Sequence, residues 1–237
     1  MSTRRPFKKW SAADHQVWQV LFERQFPNVE QHACQMYLEG HKLLGLVPDH
    51  LPDFNELNER FQELVGWELI STDVQYSNGQ DWFEHLVKRQ FLVTEYIRDR
   101  DNLDYTPLPD IWHDTFGHLP MMAHKAYADL VYDYAQIMVQ LSKEERRGLG
   151  SIWWYTIEFG MMREQGDVKA FGAGLFSSFE EIQIAFTDKM RKLPFDPETM
   201  APVAPSPHHI HDTLWIMDSF AQFQQFVHDQ QYQMQRT

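Results

Sequence analysis

A single cysteine among 237 residues, Cys34, leaves no internal disulfide to form, and the chain reads as a protein of a reducing compartment. No apolar run is long enough to cross a bilayer. The basic opening from Arg4 to Trp10 is not followed by the apolar stretch a secretory signal needs. Positive charge is scarce too, with 21 Lys and Arg against 34 Asp and Glu and a net charge of −13. Such a field repels nucleic acid and anionic membrane surfaces. There is no internal repeat and no linker that divides the chain, so one domain over residues 1–237 is expected. Together these absences point to a cytoplasmic protein with neither membrane nor nucleic-acid partners.

Aromatic residues are plentiful instead. Seventeen Phe, 8 Trp and 9 Tyr within a 43% hydrophobic composition describe a well-packed globular core. Helical punctuation recurs along the chain. Ser11 with Asp14 three residues on opens a helix that Pro27 is expected to close, and Asn28 is expected to cap a second helix running to Gly45. Asp53 with Glu56 starts a third, through Leu64 to a stop at Gly66. Trp67 to Val74 has strand length and β-branched content, and Ser77-Asn78-Gly79 is turn chemistry. Asp81 to Lys88 is in helical phase. Phe91 to Ile97 fits a strand or a buried helix, and its helical neighbours favour helix. Further helices are expected over Ala123–Leu141, from the Ser142/Glu145 start through Glu158, from the Ser178/Glu181 start to Phe186, and over Thr213–Gln230. Gly166 to Phe176 reads as loop with short strands. The fold class expected is mainly α with a small β element.

The chemistry concentrates in Pro109-Asp110-Ile111-Trp112-His113-Asp114-Thr115-Phe116-Gly117-His118-Leu119-Pro120 and in Trp153-Trp154-Tyr155-Thr156-Ile157-Glu158-Phe159-Gly160. Two imidazoles and one carboxylate on one metal leave coordination positions open, the donor set of mononuclear non-haem Fe(II) oxygenases. On a regular helix a five-residue spacing rotates His113 and His118 roughly 140° apart, so Gly117 and Pro120 are expected to break the helix and let the rings converge. Glu158 among bulky apolar neighbours needs a positive partner. A metal satisfies that need, and so does a structural pairing of Glu158 with an arginine such as Arg98, leaving the histidines as core residues. The spacing excludes the H-E-x-x-H zinc pattern. His208, His209 and His211 sit in a Pro-flanked stretch and read as solvated loop. Gly172-Ala173-Gly174 lacks the third glycine of a dinucleotide fingerprint. Cys34 occupies an apolar helical position and reads as core.

Tyr105-Thr106-Pro107-Leu108 leading into the His motif, the Trp154–Gly160 run and Phe171-Gly172-Ala173-Gly174-Leu175-Phe176-Ser177-Ser178 together resemble the pterin-dependent aromatic amino acid hydroxylases, and most of all their short bacterial phenylalanine-hydroxylating members. The resemblance runs in order over about 8–226. It implies a single catalytic domain that converts L-phenylalanine to L-tyrosine with O2, a tetrahydropterin and Fe(II). By it, His113, His118 and Glu158 are the iron ligands. Arg98 matches the arginine that takes the substrate carboxylate, and Thr106, Gly174 and Ser177 match its helpers. Trp154 and Phe159 line the ring pocket, and Trp82, Phe83, Asp114 and Trp153 fall on the pterin side. From residues alone, Trp82 and Phe83 read as helix core and Arg98 as a surface ion pair. Leu108 and Trp153 depart from the usual Glu and Tyr of the family, which bears on substrate preference and pterin affinity; hydroxylation of tryptophan, or of another ring position of phenylalanine, is the rival among enzymes. A metal-binding protein without turnover is the alternative from another class. The resemblance carries no regulatory or tetramerisation segment, so a monomer is expected.

Overall fold

The computed structural model describes residues 5–74, 79–104, 108–206 and 211–236. Helix α1 spans Ala12–His32 and begins at a complete capping box: Ser11 accepts from the Asp14 N–H, and the Asp14 carboxylate accepts from the Ser11 N–H. Pro27 does not end it. The proline sits on the exposed side, as does Glu23, the residue whose carbonyl it leaves without its helical donor. On the other side Val17, Trp18, Leu21, Phe22 and Val29 bury continuously past it. Helix α2 therefore starts later than Asn28, at Gln35–Leu44, and ends in left-handed Gly45. Helix α3, Phe54–Val65, lies between the Asp53 cap and left-handed Gly66 as the residues demanded.

Strand β1 (Glu68–Thr72), helix α4 (Gly79–Leu86) and strand β2 (Gln90–Thr94) make a small parallel unit in which Leu69 stands opposite Phe91 and Thr72 opposite Thr94. The helix favoured over Phe91–Ile97 is thus a strand. A short apolar run carries no decisive period, and the backbone partner offered by β1 settles it. The turn expected at Ser77-Asn78 lies outside the described residues.

A π-helical stretch, His113–His118, continues without a break into α5 (Leu119–Met122). Pro120 is accommodated inside the helix rather than ending it. The carbonyl that loses its usual donor is that of Phe116, and the buried Tyr37 hydroxyl donates to it at 2.6 Å. Then follow α6 (Lys125–Gln140) and α7 (Arg146–Trp153), the latter running into a second π-helical stretch, Trp154–Glu158.

Strands β3 (Met161–Glu164) and β4 (Asp167–Ala170) form a hairpin about Gln165 and Gly166, both at positive φ. After α8 (Ala173–Ser177), α9 (Phe179–Ala185), β5 (Arg191–Pro194) and α10 (Pro197–Met200), strand β6 (Thr213–Met217) completes a four-stranded sheet of order β4-β3-β6-β5. Helix α11 covers only Phe220–Met234, opened by the Ser219 hydroxyl. The helix expected from Thr213 begins as strand because Leu214 to Met217 are buried between β3 and β5. Buried side chains from the helices and both sheets form one hydrophobic cluster. The observed class is mainly α with a small β component. No described helix is long and apolar enough to cross a membrane.

Candidate metal centre

The two π-helical stretches do what a break was expected to do. A π turn bonds residue i to i+5. Accordingly the Leu119 N–H reaches the Asp114 carbonyl, and the Phe159 N–H reaches the Trp154 carbonyl at 2.9 Å. Residues five apart then stand nearly above one another, so His113 and His118 share a face without any interruption of the helix. Their Nε2 atoms are 3.0 Å apart and their rings perpendicular at 89°. Glu158 Oε2, on the second π stretch, lies 3.5 Å from His113 Nε2 and 3.4 Å from His118 Nε2.

Close approach of three segments makes this convergence possible. A Cβ on Gly117 would come within 2.8 Å of the Ala173 carbonyl oxygen. One on Gly172 would lie 2.2 Å from the Glu158 carbonyl oxygen, and one on Gly174 would lie 2.5 Å from the Phe159 ring. The glycine before His118 is therefore needed for packing against α8, and the Gly-Ala-Gly run for packing against the Glu158 segment. Trp112 locks the first π stretch from behind: it stacks on Phe116 at 4.0 Å and donates from Nε1 to the Ser177 carbonyl at 2.9 Å.

The donor set fits one cation. Ligands about 2.1 Å from an ion and at right angles stand about 3.0 Å apart, close to the separations seen. His113 Nδ1 is already engaged by Ser177 Oγ at 2.8 Å, so its Nε2 is left to bind metal. Burial raises the proton affinity of Glu158, but the two imidazoles outweigh it and hold the carboxyl well below the usual carboxylate range. Among the described residues this is the one cluster of three His, Cys, Asp or Glu donors within reach of a common ion. Trp153 Nε1, 3.3 Å from Glu158 Oε1, steadies the second carboxylate oxygen.

The cluster lies in a cavity of about 790 Å³ whose lining includes Trp82, Phe83, Arg98, Asp114, Trp153, Trp154, Phe159, Gly174 and Ser177. Every residue expected at the site is thus brought together except Thr106, which lies outside the described residues. Arg98 is not a surface ion pair, and it does not pair with Glu158. It is buried, and its Nε and Nη2 fork onto Asp110 at 2.9 Å each. Burial works against the Asp110 charge, but Arg98 more than offsets it and holds the carboxyl low. With Nη1 donating to the Leu103 carbonyl, three of the five guanidinium N–H groups are used among the described residues, which leaves one on each terminal nitrogen.

Asp114 accepts from the Thr94 N–H at 2.8 Å, which ties the end of β2 to the first π stretch. Burial, only partly countered by His113 and Thr94, pushes its carboxyl up to about 7. Trp82 lies edge-on to Phe91 at 5.2 Å and 6.5 Å from the His118 ring, while Phe83 is buried against Trp153 at 5.1 Å.

Three participants were not anticipated. Asp110 lies within the His motif, but nothing in its spacing shows that it braces Arg98. His211, expected to be solvated, is buried. It packs on Phe159 at 4.2 Å and accepts from Trp154 Nε1 at 2.8 Å. Glu181 lies 3.3 Å from its other nitrogen. His208 and His209 lie outside the described residues. Cys34 is core as expected, and burial pushes its thiol up to about 12.

A mainly helical fold that closes two histidines and a glutamate around one point, at the floor of an aromatic cavity, has the build of a mononuclear metal enzyme. Residues 3–237 match the family model of the biopterin-dependent aromatic amino acid hydroxylases. A phenylalanine-4-hydroxylase of Mesorhizobium japonicum is 38% identical over 196 residues, 81% of this chain and 70% of that protein. The structure of the phenylalanine hydroxylase of Legionella pneumophila superposes with a TM-score of 0.89 at 30% identity, over 96% of this chain and 91% of that one. That of Chromobacterium violaceum with bound iron(III) and oxidised 7,8-dihydrobiopterin gives 0.86 at 30% identity, over 97% and 84%. The chain belongs to the biopterin-dependent aromatic amino acid hydroxylases.

Proposed function

We propose that the protein is a tetrahydropterin-dependent phenylalanine 4-monooxygenase, converting L-phenylalanine to L-tyrosine at a non-haem Fe(II) held by His113, His118 and Glu158. The observation that carries this reading is the convergence of those donors to 3.0–3.5 Å in a cavity that also presents a buried guanidinium and an aromatic wall. Relatives named phenylalanine-4-hydroxylase and a related structure holding iron and dihydrobiopterin support it. Iron and tetrahydropterin, when bound, supply the activation of O2.

The chain's own residues bind, orient and exclude water. Arg98, braced by Asp110, offers its two remaining terminal N–H groups to the substrate carboxylate, a bidentate geometry suited to that anion. Gly174 and Ser177, which line the same cavity, are its helpers there, with Thr106 a third by the family resemblance alone. Trp154 and Phe159 receive the substrate ring beside Glu158. Trp82, Phe83 and Trp153 would give the pterin apolar surface, and Asp114, in the same lining, would meet its polar edge. Fixing ring, pterin and metal in one pocket contributes through orientation rather than through a further acid or base. A reducing compartment fits a buried, single Cys34, and the chain is proposed to act as a monomer. Light scattering at working concentration checks the monomer.

The test is anaerobic Fe(II) loading followed by pterin-dependent turnover with phenylalanine, tyrosine and tryptophan offered separately, with Glu158→Ala run beside wild type. Tyrosine from phenylalanine is expected, with no product from the variant. Full activity without Glu158 removes it from the ligand set. Absence of tyrosine from wild type refutes the assignment.

A further inference from the structure

Trp154 and Phe159, whose rings lie 5.0 Å apart, form the aromatic wall of the cavity, and packed against them is a polar arrangement that the proposed chemistry does not use. His211 is buried and lines the same cavity. Its ring is held between Phe159 at 4.2 Å and the edge of Tyr155 at 5.6 Å. Burying an imidazole among aromatic rings costs free energy unless its nitrogens are engaged. Trp154 Nε1 engages one, 2.8 Å from His211 Nε2. An indole N–H can only donate, so Nε2 is the acceptor and the ring proton is on Nδ1. Nδ1 faces Glu181 Oε1 at 3.3 Å. That is near enough for the carboxylate to attract the N–H, though not aligned as a hydrogen bond. Glu181 stands in the first turn of α9, where its backbone N–H donates to the capping Ser178 hydroxyl at 3.3 Å. The order is carboxylate on α9, imidazole ahead of β6, indole on the second π stretch.

We infer that His211 is a positioning residue of the substrate-ring pocket. It sets the orientation of the Trp154 indole through Nε2 and that of Phe159 by packing, while Glu181 keeps Nε2 turned toward the indole. The inference rests on the proposed function, since it takes Trp154 and Phe159 as the wall that receives the ring. An indole whose N–H is held cannot turn about its side-chain bonds, so the slot keeps one width and discriminates between a single ring and a fused pair. With the N–H released, the indole turns and the slot widens. The substrate ring is then held less well, and small losses of orientation cost turnover steeply.

The experiment uses iron-loaded enzyme with a tetrahydropterin, and reads KM and kcat for L-phenylalanine and L-tryptophan and the hydroxylated product formed per pterin oxidised. His211→Phe fills the space with no acceptor. It is expected to raise KM for phenylalanine about tenfold, to lower product per pterin, and to reduce the preference for phenylalanine over tryptophan about tenfold, the scale of one lost hydrogen bond. His211→Gln keeps an acceptor and a donor and is expected to stay within about twofold of wild type. Should His211→Phe fail to fold, His211→Asn, whose shorter amide does not reach both partners, is expected to behave as described for it. In a Trp154→Phe background, which has no indole N–H, the same His211 change is expected to add less than about twofold.

Equal impairment of the Gln and Phe variants overturns the inference. So does an unchanged substrate preference in a folded His211→Phe or His211→Asn protein, or an undiminished effect in the Trp154→Phe background. A wild-type enzyme that hydroxylates no aromatic amino acid overturns the functional reading and the inference with it.

Discussion

Replacing Ser177 with alanine tests how the donor cluster is held. Ser177 Oγ is 2.8 Å from His113 Nδ1, while Nε2 of the same ring faces His118 and Glu158. An imidazole that binds metal through Nε2 carries its proton on Nδ1, and an acceptor at Nδ1 fixes both tautomer and ring rotation. Ser177 is only 5% exposed, so solvent is poorly placed to replace the lost oxygen. Removing such a partner costs about 10- to 100-fold in metal affinity, or about 1.4 to 2.8 kcal/mol. The substitution leaves the backbone bond from Trp112 Nε1 to the Ser177 carbonyl in place, so α8 is expected to keep its position. The measurement is an anaerobic Fe(II) titration of metal-free wild type and Ser177→Ala against a competing chelator, with melting temperatures recorded for both apo-proteins. Weaker binding with little change in the apo melting temperature is expected. Affinity within about twofold of wild type would show that the ring is oriented by its packing alone, and the reasoning from the hydroxyl would fail.

Burial lowers the His41 pKa from 6.5 to about 4, with Lys42 adding to the effect. Because the folded value lies below the unfolded one, the apo-protein is fully stabilised by this residue above about pH 6.5 and loses about 2 kcal/mol by pH 5, approaching ~3 kcal/mol at pH 4. Urea unfolding of apo wild type and His41→Leu between pH 7.5 and 5 reads this directly, and parallel pH slopes for the two would refute it. In Gly172→Ala the new Cβ meets the Glu158 backbone, which cannot swing aside, and a loss of about 3 kcal/mol with depleted metal is expected. Full metal occupancy at an unchanged melting temperature would count against that. Asp110→Ala strands a buried guanidinium, and denaturant unfolding is expected to show a loss of about 3–5 kcal/mol. A loss below about 1 kcal/mol would mean that Arg98 finds solvent or another partner.

The helix starts at Ser11, Asp53 and Ser178 and the stops at Gly45 and Gly66 were legible because each rests on hydrogen bonds or a backbone conformation set within a few residues. The prolines misled for the complementary reason. Whether Pro27 or Pro120 ends a helix depends on what happens to one freed carbonyl, and that was answered by an exposed face in one case and by Tyr37 from α2 in the other. Phe91 to Thr94 and Leu214 to Met217 carried too little period to choose between helix and strand, and distant strand partners made the choice.

The residue types at 113, 118 and 158, with the motifs around them, determined the chemistry the protein can do. Two imidazoles and a carboxylate among apolar neighbours demand a cation or an equivalent partner wherever they fold. Tertiary structure alone decided that they meet. The five-residue spacing, awkward for an α-helix, became a shared face through π turns, and three glycines let the two π stretches and α8 approach closely enough to bring Glu158 to the histidines. It also decided that Arg98 is braced by Asp110 and that His211 is buried against the aromatic wall. Such pairings join segments far apart in the chain, and their free energy comes from burial and from partners that exist only once the whole core has assembled.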